Sequence, residues 1–288
     1  MRTAVDEQGR IERIVEEALR EDAGMGDVTS DSIIPEDAKG SAEFLCKGTG
    51  IVAGLDVACL VFRMCDAQML AGQMVDDGAR VKPGDILGVV HGSVRGILVG
   101  ERTALNLLQR MSGIATLTRQ FVDAVAGTRA RIADTRKTVP GLRLLDKMAV
   151  RLGGGVNHRF GLDDMVLIKD NHIAAAGSIT AAVSRCTAAL RARGLRLPVE
   201  VETKNLDEVN EALRCEGVTR IMLDNFPVHA MREAVGVIHH RVEVEASGGI
   251  TLESVRAVAE TGVDLISVGA LTHSVRALDI SLELTPHA

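Results

Sequence analysis

Six short apolar runs recur along the second half of the chain: ARIAD (130–134), MVLIKD (165–170), PVEVET (198–203), TRIMLD (219–224), VEVEA (242–246) and DLISVG (264–269). The stretches between them place apolar residues at helical spacing. A repeat of roughly 20 to 35 residues is the length of a strand, a crossover helix and a return to the next parallel strand. Such a run folds either as an open doubly wound sheet or as a barrel, and a seventh strand is expected near Asn157. The strand ends favour the barrel. Almost every strand stops on a charged residue or a glycine: Asp134 to Lys137, Lys169 to His172, Glu202, Asp224 with Asn225, Ser247 to Gly249, and Gly269. Barrel enzymes build sites from the carboxyl ends of many strands, whereas an open sheet uses mainly its switch point.

The first third reads differently. Ile11, Ile14, Val15, Ala18 and Leu19 share one face of an N-terminal helix that ends at Gly24 to Asp27. After it, short apolar blocks punctuated by glycines predict a small mixed or antiparallel sheet. DDGARVKPGDILGVV resembles the turn-rich core of lipoyl-type domains, but no Lys stands at a hairpin tip, so the segment is read as structural. From Glu101 to Gln120 the pattern turns helical again.

Composition excludes several classes. Tyr and Trp are absent and only five Phe occur, so the stacking rings of a single-strand nucleic-acid binder are missing, and net charge is −6. Proton transfer falls to His, Lys, Asp and Glu. Five cysteines with no C-x-x-C pair suit free thiols better than a disulfide frame or zinc site. The charged N-terminus lacks the apolar core of a signal peptide, and no run is long enough to span a bilayer. A soluble cytoplasmic protein without nucleic-acid or membrane partners is expected.

The candidate chemistry lies at the strand ends. Arg136, Lys137 and Lys169 close two strands, and His158 with Arg159 sits in GGGVNHRFG. If they converge they repel: two like charges about 8 Å apart at an effective dielectric near 20 cost roughly 2 kcal/mol. A polyanionic ligand would offset that cost. Glu202 and Asp224 close two successive strands, Glu200 shares the face of Glu202, and carboxylates beside phosphate suit Mg²⁺. Ser247, Gly248, Gly249 and Gly269 follow the last two strands, where backbone amides can receive a phosphate. A terminal phosphate, a metal-bound polyphosphate and a second anion describe phosphoribosyl pyrophosphate with a carboxylated base. The common phosphoribosyltransferase loop is absent, so another scaffold is required. A barrel lyase using Lys137 or Lys169 as a Schiff-base nucleophile and a phosphoribosyl-ligand sensor are the competing classes.

The strings ERTALNLLQRMSGIAT, DTRKTVPGLR, LDKMAVRLGGGVNHRFGLDDMVLIKDNHI, MLDNF, EASGGI and ETGVDLISVGALTHS resemble the quinolinate phosphoribosyltransferase family, in order, from about Glu21 to Leu282. The resemblance implies an incomplete α/β barrel over 113–274 and an N-terminal open-faced α+β sandwich domain over 1–112, with 275–288 packed on the latter. It implies conversion of quinolinate and phosphoribosyl pyrophosphate to nicotinate mononucleotide, pyrophosphate and CO₂ with Mg²⁺, in NAD biosynthesis. It also implies a homodimer, or a higher oligomer, with shared active sites. Carried onto this chain, Arg102 enters the partner's site and joins Arg136, His158, Arg159 and Lys169 on quinolinate. Lys137 reaches the pyrophosphate, Glu202 and Asp224 hold ribose hydroxyls and metal, and Ser247, Gly248, Gly249, Gly269 and His273 take the 5′-phosphate. Met148, Val139 and Leu152 depart from the family pattern and are read as changes behind the site. A paralogue attached to molybdenum uptake stays open. His239 and His240 read as surface residues, and Asp27-Val28-Thr29 as a structural family hallmark.

Overall fold

The computed structural model of the chain describes residues 4–287. In chain order, α1 (Ala4–Ala23), α2 (Val28–Ile33), β1 (Lys39–Cys46), β2 (Gly50–Ile51), α3 (Leu55–Cys65), β3 (Leu70–Met74), β4 (Arg80–Val81), β5 (Ile86–Ser93) and α4 (Val94–Ala124) come first. The alternating half follows: β6 (Arg131–Ala133), α5 (Arg143–Leu152), β7 (Val166–Ile168), α6 (Asp170–Ala176), α7 (Ile179–Ala192), β8 (Val199–Thr203), α8 (Leu206–Leu213), β9 (Arg220–Asp224), α9 (Val228–Ile238), β10 (Glu243–Ser247), α10 (Val255–Ala259) and β11 (Leu265–Ser267). The chain ends with α11 (Ala270–His273) and β12 (Ile280–Pro286). All six expected strands form.

The chain divides into two compact units. The first holds the residues up to Arg119, Thr138–Gly154, and Leu271 onward. Its antiparallel sheet runs β12-β1-β5-β3, with Phe44 of β1 facing Leu282 of β12 and Gly88 of β5. Ala42, Phe44 and Cys46 alternate inward along β1, and Phe44 meets Phe62 of α3 with ring centroids 5.9 Å apart. Burying a Phe side chain contributes about 2–3 kcal/mol, so this pair anchors sheet to helix. Asp27 caps α2, its Oδ1 accepting from the Thr29 and Ser30 amides at 3.0 and 3.2 Å. Segment Thr138–Gly154, expected within 113–274, groups with this unit. Asp146 of α5 is bound there by Arg110 of α4.

The second unit, Gln120–Lys137 and Gly155–Ala270, is the parallel barrel. Its strand order is β6-β11-β10-β9-β8-β7, so the first strand pairs with the last as in a closed ring. The expected seventh strand is reduced to one parallel bridge, Val156 to Ala133 of β6. That leaves the ring incomplete between Val156 and β7. All five residues of β8 are buried, as in a parallel strand covered on both faces. Val199, Val201 and Thr203 alternate with Glu200 and Glu202, and the register sets Glu202 beside Met222 and Met222 beside Glu245. Glu202, Met222 and Glu245 all line one cavity, so their face of the strands points into the barrel. Among the described residues, no single helix is long and apolar enough to cross a membrane.

Candidate active site

A cavity of about 470 Å³ opens at the carboxyl ends of the barrel strands. Each strand delivers its contribution through local geometry. Arg136 and Lys137 follow β6, where the Lys137 amide donates to Thr135 Oγ1 at 3.0 Å. Asp134, fully buried at the end of β6, accepts from the His158 amide at 2.9 Å and from Asn157 Nδ2 at 2.6 Å. That carboxylate pins the segment after the glycines, and His158 and Arg159 both line the cavity. Lys169 leaves β7 and reaches Glu202 of β8 at 3.3 Å.

At the far side Asp224 ends β9, and Asn225 Nδ2 donates to its Oδ2 at 2.9 Å. Asn225 adopts φ 55°, in the left-handed region. Gly248, at φ 96°, leaves it room: a Cβ there would lie 2.2 Å from Asn225 Oδ1. Ser247, Gly248 and Gly249 complete the wall, with Ser267 of β11.

Five cations therefore converge as the strand endings suggested: Arg136, Lys137, His158, Arg159 and Lys169. Their proximity is visible in Arg159. Burial pushes its pKa down, the like charge of Arg136 adds to that, and Glu200 opposes it. Arg159 Nη1 donates to the Met165 carbonyl at 3.2 Å, while the buried Nε of Arg136 has no hydrogen-bond partner. An orphaned donor beside the cavity suits an incoming anion.

Other expected residues lie elsewhere. Gly269 immediately precedes α11 and does not line the cavity. Arg102 and His273 belong to the other compact unit, are exposed, and are not among the lining residues. Neither are Met148, Val139 and Leu152. Glu200 shares the face of Glu202 as expected but sits deeper, away from the cavity lining, fully buried. His158 is a cation already engaged, its Nε2 3.1 Å from Glu200 and 3.2 Å from Glu245. Sequence reasoning misses Glu245, Met222 and Ser267, whereas Asn225 stands with Asp224 at a strand end that it marks. The signal for Glu245 was present, because VEVEA repeats the charge-on-alternate-positions pattern of VEVET.

Clustered cations, two carboxylates and a glycine-bearing strand end meet at one barrel mouth, the place and lining of an α/β-barrel enzyme site suited to anionic ligands. The C-terminal domain model of quinolinate phosphoribosyl transferase matches residues 114–283, and its N-terminal domain model matches residues 27–112. The chain belongs to the quinolinate phosphoribosyltransferase family. It is 47% identical to a mitochondrial quinolinate phosphoribosyltransferase (decarboxylating) of Nicotiana glauca, over 95% of this chain and 82% of that one. It is likewise 47% identical to a nicotinate-nucleotide pyrophosphorylase (carboxylating) of Mycobacterium leprae, over 94% and 95%. The solved nicotinate-nucleotide pyrophosphorylase of Francisella tularensis superposes with a TM-score of 0.90 at 39% identity, covering 96% of each chain.

Proposed function

We propose that the barrel cavity is where quinolinate and phosphoribosyl pyrophosphate become nicotinate mononucleotide, pyrophosphate and CO₂, a step of NAD biosynthesis. The observation that carries this reading is the convergence of five cations with Glu202 and Asp224 around one cavity. Arg136, His158, Arg159 and Lys169 orient the two carboxylates of quinolinate, and bidentate guanidinium contacts select a dicarboxylate over a monocarboxylate. Ser247, Gly248 and Gly249 receive the 5′-phosphate of the ribose.

The pyridine nitrogen attacks the anomeric carbon while the carbon–oxygen bond to pyrophosphate breaks. Lys137 faces the departing pyrophosphate and stabilises its growing charge. Glu202 and Asp224 stabilise positive charge on the ribose and hold its hydroxyls. The ring nitrogen is then cationic, and it draws in the electron pair released when the adjacent carboxylate leaves as CO₂. The vacated carbon takes up a proton. Glu202 and Asp224 are hard oxygen donors beside the phosphate path, a set that fits Mg²⁺ shared with substrate. Bound there, Mg²⁺ would supply neutralisation of pyrophosphate charge.

The family resemblance of ERTALN assigns Arg102, exposed on α4, to the site of a second subunit, and the reading therefore includes a homodimer. Five free cysteines support a reducing, cytoplasmic setting.

The test is incubation with quinolinate, phosphoribosyl pyrophosphate and Mg²⁺, following nicotinate mononucleotide by mass spectrometry. Lys137→Ala is expected to lower kcat/KM by about 100-fold or more. An unaffected Lys137→Ala enzyme would remove that role. Nicotinate accepted as readily as quinolinate would remove the dicarboxylate selection.

A further inference from the structure

Barrel interiors are ordinarily packed with layers of branched apolar side chains. Beneath this cavity the layer is ionic. His158 Nε2 lies 3.1 Å from Glu200 Oε2 and 3.2 Å from Glu245 Oε2. Arg220 of β9 places Nη1 3.3 Å from Glu245 Oε2 and 3.6 Å from Glu200 Oε2, and its Nε donates to Glu243 at 2.7 Å. Both carboxylates are fully buried; Glu200 leaves its Oε1 with no hydrogen-bond partner, while the Ser267 hydroxyl helps hold Glu245 charged. Replacing such a network with packed apolar side chains is often neutral or stabilising, so stability alone does not account for it. One His and two Glu could hold a metal ion. The Arg220 guanidinium on the same two oxygens takes that cation's place.

The network meets the substrate site at two points, because His158 and Glu245 line the cavity while Glu200 and Arg220 do not. Arg136, Lys137, Arg159 and Lys169 line the same cavity as His158, and like charges brought near its ring would disfavour a charge on it. Glu202 and Asp224 oppose them from that side, and Glu245 lines the cavity as well. Below, Glu200 arrives from β8 and Glu245 from β10, with Arg220 between them on β9. Asp134 holds the backbone of His158 from the end of β6.

We propose that Glu245 and Glu200 are positioning residues: from beneath the cavity they fix the His158 ring and keep it cationic, presenting a permanent charge to the substrate carboxylates. The consequence for binding rests on the reading that His158 meets quinolinate. Burial alone would lower the His158 pKa, but the bonds to Glu200 and Glu245 outweigh it and raise it to about 9. An ordinary histidine, with a pKa near 6.5, would be largely neutral where the four neighbouring cations stay charged.

The decisive measurement is an NMR titration of the His158 ring in the full-length enzyme, its signal assigned by loss in His158→Asn. A midpoint near pH 9 is expected, and Glu245→Gln lowers it by about one unit or more. In Glu245→Gln the KM for quinolinate then begins to rise about one pH unit earlier, is about fivefold above the parent's at the parent's midpoint, and recovers near pH 6. A structural role alone would not produce that recovery. A parent midpoint near 6.5 overturns the proposal even if Glu245→Gln fails to fold. So does a Glu245→Gln enzyme whose midpoint and KM profile do not move. An unchanged quinolinate KM in His158→Asn instead overturns the substrate reading beneath it, whatever the ring titration gives.

Discussion

Each compact unit buries an ionic cluster, and the two are built to different standards. In the first unit Arg110 grips Asp146 with two parallel bonds, Nε to Oδ1 at 2.9 Å and Nη2 to Oδ2 at 2.8 Å. The Val139 amide adds a third donor to Oδ2 at 3.3 Å, and Arg110 Nη2 also reaches the Thr272 carbonyl at 3.2 Å. Every Asp146 oxygen is satisfied. In the barrel, Glu200 and Glu245 direct one oxygen each to the same imidazole and guanidinium; the second Glu200 oxygen is left without a partner, and Glu245 has only the Ser267 hydroxyl besides. A complete cluster is explained by the fold it holds together. An incomplete one keeps part of the desolvation cost of its carboxylates, and the reason for its groups lies in the cavity above it.

Breaking the complete cluster should have the larger effect on stability. Asp146→Ala leaves a guanidinium without its buried partner and is expected to cost about 3–5 kcal/mol in urea unfolding. A cost below about 1 kcal/mol would mean that the pair is no more structural than the barrel network.

The barrel cluster should reveal itself through pH. The His158 pKa rises from 6.5 to about 9 on folding, so the folded state holds that proton more tightly. The resulting stabilisation, about 3 kcal/mol, is fully present below about pH 6.5 and is lost as pH rises through 9. Glu200, raised to about 7 by burial and then by Glu245, acts in the same direction lower down, its contribution fading as pH rises from 4.5 through 7. Unfolding free energy should therefore fall from pH 6.5 to 9.5 in the parent and much less in His158→Asn. Equal slopes in the two proteins would break the contrast between the clusters.

The strands of the barrel were legible because each is a β-branched run ending in a charge or a glycine, a pattern that only local residues need to satisfy. The convergence of Arg136, Lys137, His158, Arg159 and Lys169 was legible for the same reason. Depth was not. Strand alternation puts Glu200 and Glu202 on one face, but only the closed sheet shows that Glu202 reaches the cavity while Glu200 ends one layer lower. Pairing was also hidden, since His158 meets carboxylates carried by two distant strands. The segment around α5 reads as an ordinary crossover helix. Its tie to Arg110 spans 36 positions and leaves no periodic trace. The strand near Asn157 shrank to one bridge because Asp134 uses its side chain on Asn157 and the His158 amide.

The smallest expected effect on stability belongs to a third polar group, at the rim, where water can satisfy what the protein does not. Asn225 fixes Asp224 through one exposed bond of 2.9 Å, in a left-handed conformation for which Gly248 makes room. Gly248→Ala would set a methyl group against the Asn225 amide and add strain at φ 96°. Strain of this kind costs on the order of 1–2 kcal/mol, and an exposed neighbour can relax, so the melting temperature should move by only a few degrees. Function is more exposed to the change. Asp224 would lose the partner that orients it, and the strand end assigned to the 5′-phosphate would shift. The expected result is a KM for phosphoribosyl pyrophosphate raised about tenfold with the quinolinate KM nearly unchanged. If both constants rise together, the rim group is part of the same positioning network as His158, and the separation of the two substrates across the cavity is wrong.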